Sequence, residues 1–94
     1  MARVELSAAA VDDLIASHGL PPDTLPRVVR SLRSLDRFPL AGRALTGRWH
    51  GFRFLVGPWR WMLLVYVYIE TDDRVVVVTV QDARRSSSAT TLED

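Results

Sequence analysis

The sequence predicts one α+β domain, in which a strand and two helices precede three further strands in the order β-α-α-β-β-β. Three observations carry this. At the start, Val4 and Leu6 alternate with Arg3 and Glu5, the period of a strand with one face buried. From Ser7 to Asp36 apolar residues recur at helical spacing, interrupted once by Pro21 and Pro22. Beyond Phe38-Pro39 the composition turns to Gly42, Gly47 and Gly51 among β-branched and aromatic residues, where helices give way to a sheet.

The first strand spans about Ala2 to Leu6. Ser7 is placed to cap the following helix, which carries Val11, Leu14 and Ile15 on one stripe, leaves Asp12 and Asp13 outside it and stops at Gly19. The proline pair bars continuation, Asp23 or Thr24 caps again, and Pro26 falls in the first turn, where its missing N–H is not needed. This second helix runs to about Asp36, with Leu25, Val28, Val29, Leu32 and Leu35 as a core-facing stripe, so the two helices form a hairpin. Phe52, Phe54 and Val56 then alternate with Arg53 and Leu55, a strand that sets Arg53 opposite the phenylalanines. Gly57-Pro58 turns the chain into a long strand from Arg60 to Glu70. Thr71-Asp72-Asp73 turns it again into a last strand from Val75 to Val80, completing an antiparallel meander.

Those last two strands read apolar on both faces, and two helices cover only one. The second face therefore calls for the tail, another copy or a different protein, since contiguous apolar surface marks a contact. The plainer alternative leaves Trp61, Tyr66 and Tyr68 half-exposed with their polar tips in water. Residues 1–85 form the domain. Residues 86–94, with Ser86-Ser87-Ser88 and Thr90-Thr91, read as a weakly ordered tail.

With 48% apolar and 24% charged residues the chain has the composition of a folded domain. It contains no cysteine, which excludes disulfides, thiolate-bound metals and thiol catalysis and suits a reducing compartment. The longest apolar run, Trp61 to Ile69, falls short of the roughly 20 residues of a membrane span. Glu5 interrupts what a signal peptide would keep apolar, so a cytoplasmic location without membrane association is expected. All twelve basic residues are arginine, against eleven acids, for a net charge of +1. Locally the balance differs: Arg48, Arg53 and Arg60 stand against Glu70 alone between residues 48 and 70. Arg27, Arg30, Arg33 and Arg37 recur at spacings of three and four, a stripe read first as a solvated helix face and second as a contact for nucleic acid or an acidic protein.

His18 and His50 are the only histidines, and no acid sits at a spacing that completes a metal site with either. No Gly-x-Ser-x-Gly elbow occurs, and the glycines match neither phosphate-loop nor dinucleotide spacing. No metal or other cofactor is therefore expected. What remains is an ordered set of motifs: Gly42-Arg-Ala-Leu45-Thr-Gly47, then Arg53-Phe-Leu-Val-Gly57-Pro-Trp59-Arg60, then Asp82-Ala-Arg84-Arg85. From Ala2 to Arg85 this resembles the RelE/ParE toxin superfamily of bacterial type II toxin–antitoxin systems. The most specific part is Arg53 to Arg60, with Trp59 in the family's aromatic place.

The resemblance implies a β-α-α-β-β-β fold with a twisted antiparallel sheet and a cognate antitoxin that covers part of the surface. The apolar second face leads to the expectation of self-association or poor solubility without that partner. For RelE-like members it implies metal-independent cleavage of mRNA on the ribosome. There the 2′-hydroxyl attacks the adjacent phosphate, and fixed guanidinium groups take up the developing negative charge. Arg53, Arg60 and Arg84 match the family's basic positions and are expected to gather on one face. Arg48, Arg85 and Trp59 are assigned to RNA contact. The tail residue, Tyr or His, that often assists proton transfer in such nucleases is replaced here by Ser86 to Thr91, leaving His50 and Asp82 as substitutes. That departure keeps two other readings open: a ParE-like toxin that inhibits DNA gyrase by binding, and a catalytically weak member that only holds its antitoxin.

Overall fold

The computed structural model of the chain describes residues 1–16 and 20–84. The expected end of the first helix at Gly19, together with His18, Arg85 and the tail 86–94, lies outside them. β1 spans Arg3–Leu6, α1 Ala8–Ala16 and α2 Thr24–Leu32, the last running on into a 3-10 turn at Arg33–Asp36. A two-residue strand β2, Arg43–Ala44, precedes a 3-10 turn at Gly47–Trp49. β3 spans Arg53–Val56, β4 Met62–Ile69 and β5 Arg74–Asp82, with a 3-10 turn at Glu70–Asp72 between the last two. Two helices on one five-stranded sheet give the expected α+β class. Among the described residues no helix is long and apolar enough to cross a membrane.

The strand order is β1-β5-β4-β3-β2, and the sheet is antiparallel except at one edge, where β1 runs parallel to β5. Parallel docking follows from how α1 begins. Ser7 Oγ accepts the Ala10 N–H, the expected cap, while its hydroxyl donates to the Val78 carbonyl and its N–H to Val77 O. For Ser7 to meet β5 midway while Arg3 N–H donates to Asp73 O at its start, the two strands must run the same way. α1 is fixed from its other turn too. β5 has a bulge opposite Val65 and Tyr66, and Asp13 Oδ2 accepts both the Thr79 hydroxyl (2.7 Å) and the Val80 N–H (2.9 Å) there.

The second cap differs from expectation. Asp23 occupies the N-cap of α2 without a side-chain capping bond, because its carboxylate pairs with Arg27 one turn on, at 2.9 Å; Thr24 Oγ1 donates back to Pro21 O. The apolar stripe of α2 is also narrower than its spacing suggests. Val28, Leu32 and Leu35 are buried, but Leu25 and Val29 remain 46% and 49% exposed. On α1, Ala10 and Leu14 are buried and Ile15 faces out.

β4 is buried from Met62 to Tyr66 without a break, and each of its faces has its own core. Met62, Leu64 and Tyr66 join Val75 and Val77 under the helices. Leu63 and Val65, on the other face, are covered by Leu45, Trp49 and Phe52 from the connection between β2 and β3. At Leu63 and Val65 the described chain thus covers part of the second face itself, with Gly51 in the left-handed region (φ 93°) helping the connection fold back; the tail, the other cover expected from the same chain, lies outside the described residues. The half-exposed reading fails for Tyr66, which is fully buried, and holds for Trp61 and Tyr68.

To reach the second face the chain passes round the edge of β3 at Gly42. There the Gly42 N–H donates to the Tyr66 hydroxyl at 2.8 Å, so the approach is of backbone to ring. A Cβ at Gly42 would lie 2.6 Å from Tyr66 Oη and Cε1 and 2.8 Å from Phe54 O. Gly42→Ala is expected to cost about 1–3 kcal/mol through this overlap, measurable by urea unfolding. Burial is the largest influence on the Tyr66 phenol and pushes its pKa up, with the Gly42 bond and nearby Arg53 opposing. The unfolded chain then loses this proton first, so its contribution to stability is complete below about pH 10 and declines as pH rises further. Tyr66→Phe should remove that part of the alkaline loss while costing about 1–3 kcal/mol at neutral pH for the unpaired Gly42 N–H, readable in unfolding curves at pH 7 and above pH 10.

Candidate nucleic-acid interface

The expected site residues fall into two groups at opposite ends of β3. Arg53 opens the strand, on the face opposite Phe52 and Phe54 as its alternation required. Its Nη1 donates to Gly42 O (2.9 Å) and Leu40 O (3.2 Å), so this guanidinium ties down the crossing segment. Arg48, on the 3-10 turn Gly47–Trp49, and His50, just after it, are exposed and lead into β3 from the Arg53 end.

The other end gathers Trp59, Arg60 and Arg84. At roughly 3.3 Å per residue, β3 separates Arg53 from this end by about 13 Å. The turn is closed by Gly57 N–H to Met62 O and Met62 N–H to Trp59 O. The chain after β5 is joined to it by Ala83 N–H to Trp61 O at 2.7 Å, which brings Arg84 beside the turn. Arg60 is exposed and makes no ion pair among the described residues. Arg84 is engaged three ways by Asp82: its Nε and backbone N–H donate to Oδ1 at 2.9 Å each, and its Nη2 to Oδ2 at 2.7 Å. That carboxylate also raises the Arg84 pKa, so its charge is fixed. The structure therefore sets Trp59 and Arg84 at one end of β3, with Arg60 exposed on the turn between the two indoles, and Arg53, Arg48 and His50 at the other.

Two participants escaped the sequence reading. Trp59 and Trp61, two residues apart, stack with ring centroids 6.1 Å apart and planes at 15°. Arg27 of α2 lies over Trp59, its Cζ 5.8 Å from the ring centroid, and Arg84 over Trp61 at 4.9 Å. A ladder of cation, indole, indole and cation results, and Arg27 also keeps its pair with Asp23. The Trp-x-Trp spacing hinted at rings on one side of the chain, but nothing local to Arg27 distinguished it from the rest of its stripe. Chemically, such an end offers fixed positive charge next to flat apolar planes, which suits phosphate and base together.

No protein-family model and no curated protein matches the chain. Solved structures do. The toxin–antitoxin complex RelBE2 of Mycobacterium tuberculosis contains a chain 28% identical, with a TM-score of 0.68 over 86% of this chain and 96% of that one. A metal-bound toxin from Helicobacter pylori is 24% identical, with a TM-score of 0.61 over 87% of this chain and 94% of its own, a likeness of fold. The class so defined is that of RelE-like toxins of type II toxin–antitoxin systems. This chain has their fold over most of its length, as the resemblance implied.

The different work of the arginines is measurable. Arg53→Ala should lower stability by about 1.5–3 kcal/mol, the worth of charged hydrogen bonds. Arg60→Ala should stay within about 0.5 kcal/mol of the parent, as surface changes do, both by thermal unfolding.

Proposed function

We propose that this chain is a toxin neutralised by a cognate antitoxin and that it acts as a metal-independent, ribosome-dependent mRNA endoribonuclease. The carrying observation is the set of Arg60, Arg84 and stacked indoles at one end of the sheet. Arg60 and Arg84 take the phosphate whose charge grows as the 2′-hydroxyl attacks, and Trp59 contacts the flanking chain. Arg48 touches the RNA backbone further along, from the turn at the other end of β3, and Arg53 fixes the segment through Leu40 and Gly42. The antitoxin is supported by the Mycobacterium tuberculosis relative, which was solved as a toxin–antitoxin complex.

A second reading, inhibition of DNA gyrase by binding, has one observation in its favour. His50 leads into β3 from the end away from Arg60 and Arg84, so no imidazole among the described residues is set beside them. Induction in a bacterium separates the two. New mRNA 5′ ends inside translated frames within minutes, abolished by Arg60→Ala and by a block of translation, are expected. Intact messages with gyrase-type DNA damage would establish the second reading instead.

A further inference from the structure

We infer that Arg84 and Trp61 form a nucleotide subsite that Asp82 holds closed until a phosphate and a base arrive together. The inference rests on the RNA reading above and deepens it. Asp82 fills the Arg84 fork with two parallel bonds, at 2.9 and 2.7 Å, in the geometry that a phosphate would adopt. The same contact parks the guanidinium over Trp61. One movement of Arg84 toward a phosphate therefore vacates its own fork and uncovers the indole face.

Magnitudes decide what can open it. The Arg84 side chain is 68% exposed and the Asp82 side chain 21%, so the pair is open to water on the guanidinium side, and an ion pair at such a surface is worth about 1.5- to 5-fold in an equilibrium. A phosphate alone carries no more charge than the carboxylate it displaces, so it has little advantage over Asp82. A base stacked on an aromatic ring adds about five- to hundredfold in affinity, enough to exceed that cost. Asp82 thereby determines specificity: it filters bare phosphate chains from nucleotides while costing the true ligand little. Trp59 backs Trp61 from behind, and Arg27 backs Trp59, so the platform is rigid before the ligand comes.

The test is binding of a fluorescent uridine hexanucleotide and of the matching abasic ribose-phosphate hexamer to the purified full chain, followed by anisotropy. Asp82→Asn is expected to tighten both, the abasic hexamer by about two- to fivefold and the uridine hexamer by less. That gain should vanish in an Arg84→Ala background. Glu70→Gln makes the same charge change at the far end of the β4–β5 hairpin and should not reproduce it. Trp61→Leu should erase the preference for the base-bearing hexamer. In the unaltered protein, the Arg84 Nε–H resonance in a 15N spectrum should move on adding the uridine hexamer, which keeps the test free of any variant's folding. A gain that survives loss of Arg84, an equal gain from Glu70→Gln, or weaker binding by Asp82→Asn overturns the subsite. So does an unmoved Arg84 resonance in a protein that binds the hexamer, and in that case the RNA reading stands. Absence of binding by every form overturns the subsite and the RNA reading together.

Discussion

The fold depends on one strand being buried on both sides. β4 puts five consecutive side chains, Met62 to Tyr66, out of water, and at about 1.5–3 kcal/mol for each large side chain buried, a domain this small cannot leave either face wet. The helices occupy one face, so the other must be reached by chain that starts in the helical layer. The route taken is round the edge of β3. Gly42 makes that passage, where its N–H finds the Tyr66 hydroxyl and its carbonyl the Arg53 guanidinium. Tyr66 is thus at once a core ring under the helices and the donor-satisfying post that the connection to the second core turns on. β2, two residues long, is what this passage leaves when it pairs with β3.

How much of this was legible follows from what each pattern encodes. Periodicity encodes which sides of an element are apolar, and so α1, α2 and the three C-terminal strands were placed well, as was Arg53 opposite the phenylalanines. It does not encode what lies against those sides. Leu45 and Trp49 help cover the second core from a Gly-containing stretch with neither strand nor helix period, so a correct reading of a doubly apolar strand looked for its cover in the tail or another molecule. The narrow seam of α2 has the same origin: spacing marks Leu25 and Val29 as eligible for burial, and the sheet below decides. Pairing direction at β1 was hidden for a different reason. Four residues carry no preference between parallel and antiparallel, and the choice was made by Ser7 bonding to Val77 and Val78.

At the basic end, the family resemblance named Trp59, Arg60 and Arg84, and the β3–β4 turn and the end of β5 are neighbours in any meander. Spacing could not foresee that Arg53 would be held by backbone carbonyls at the far end of its strand. A half-buried guanidinium has more donors than one phosphate uses, and two carbonyls left without partners at a tight crossing are strong competitors for them. The same residue type therefore serves the fold at one end of β3 and stays at the surface at the other.

The cations at the basic end, Arg60 apart, are paired before any ligand reaches them. Arg27 has Asp23 and Trp59; Arg84 has Asp82 and Trp61; both guanidiniums face water, where such pairs are worth little and exchange at little cost. Buried pairs in the same places would be expensive to open, and bare cations would attract any polyanion in reach. Exposed pairs lie between these limits. They lower indiscriminate attraction and hold the rings and guanidiniums in position. Arg60, exposed and unpaired among the described residues, is the exception at this end. In the proposed RNA contact Arg60 supplies the first attraction, and the paired groups at this end yield to a ligand that offers more than charge.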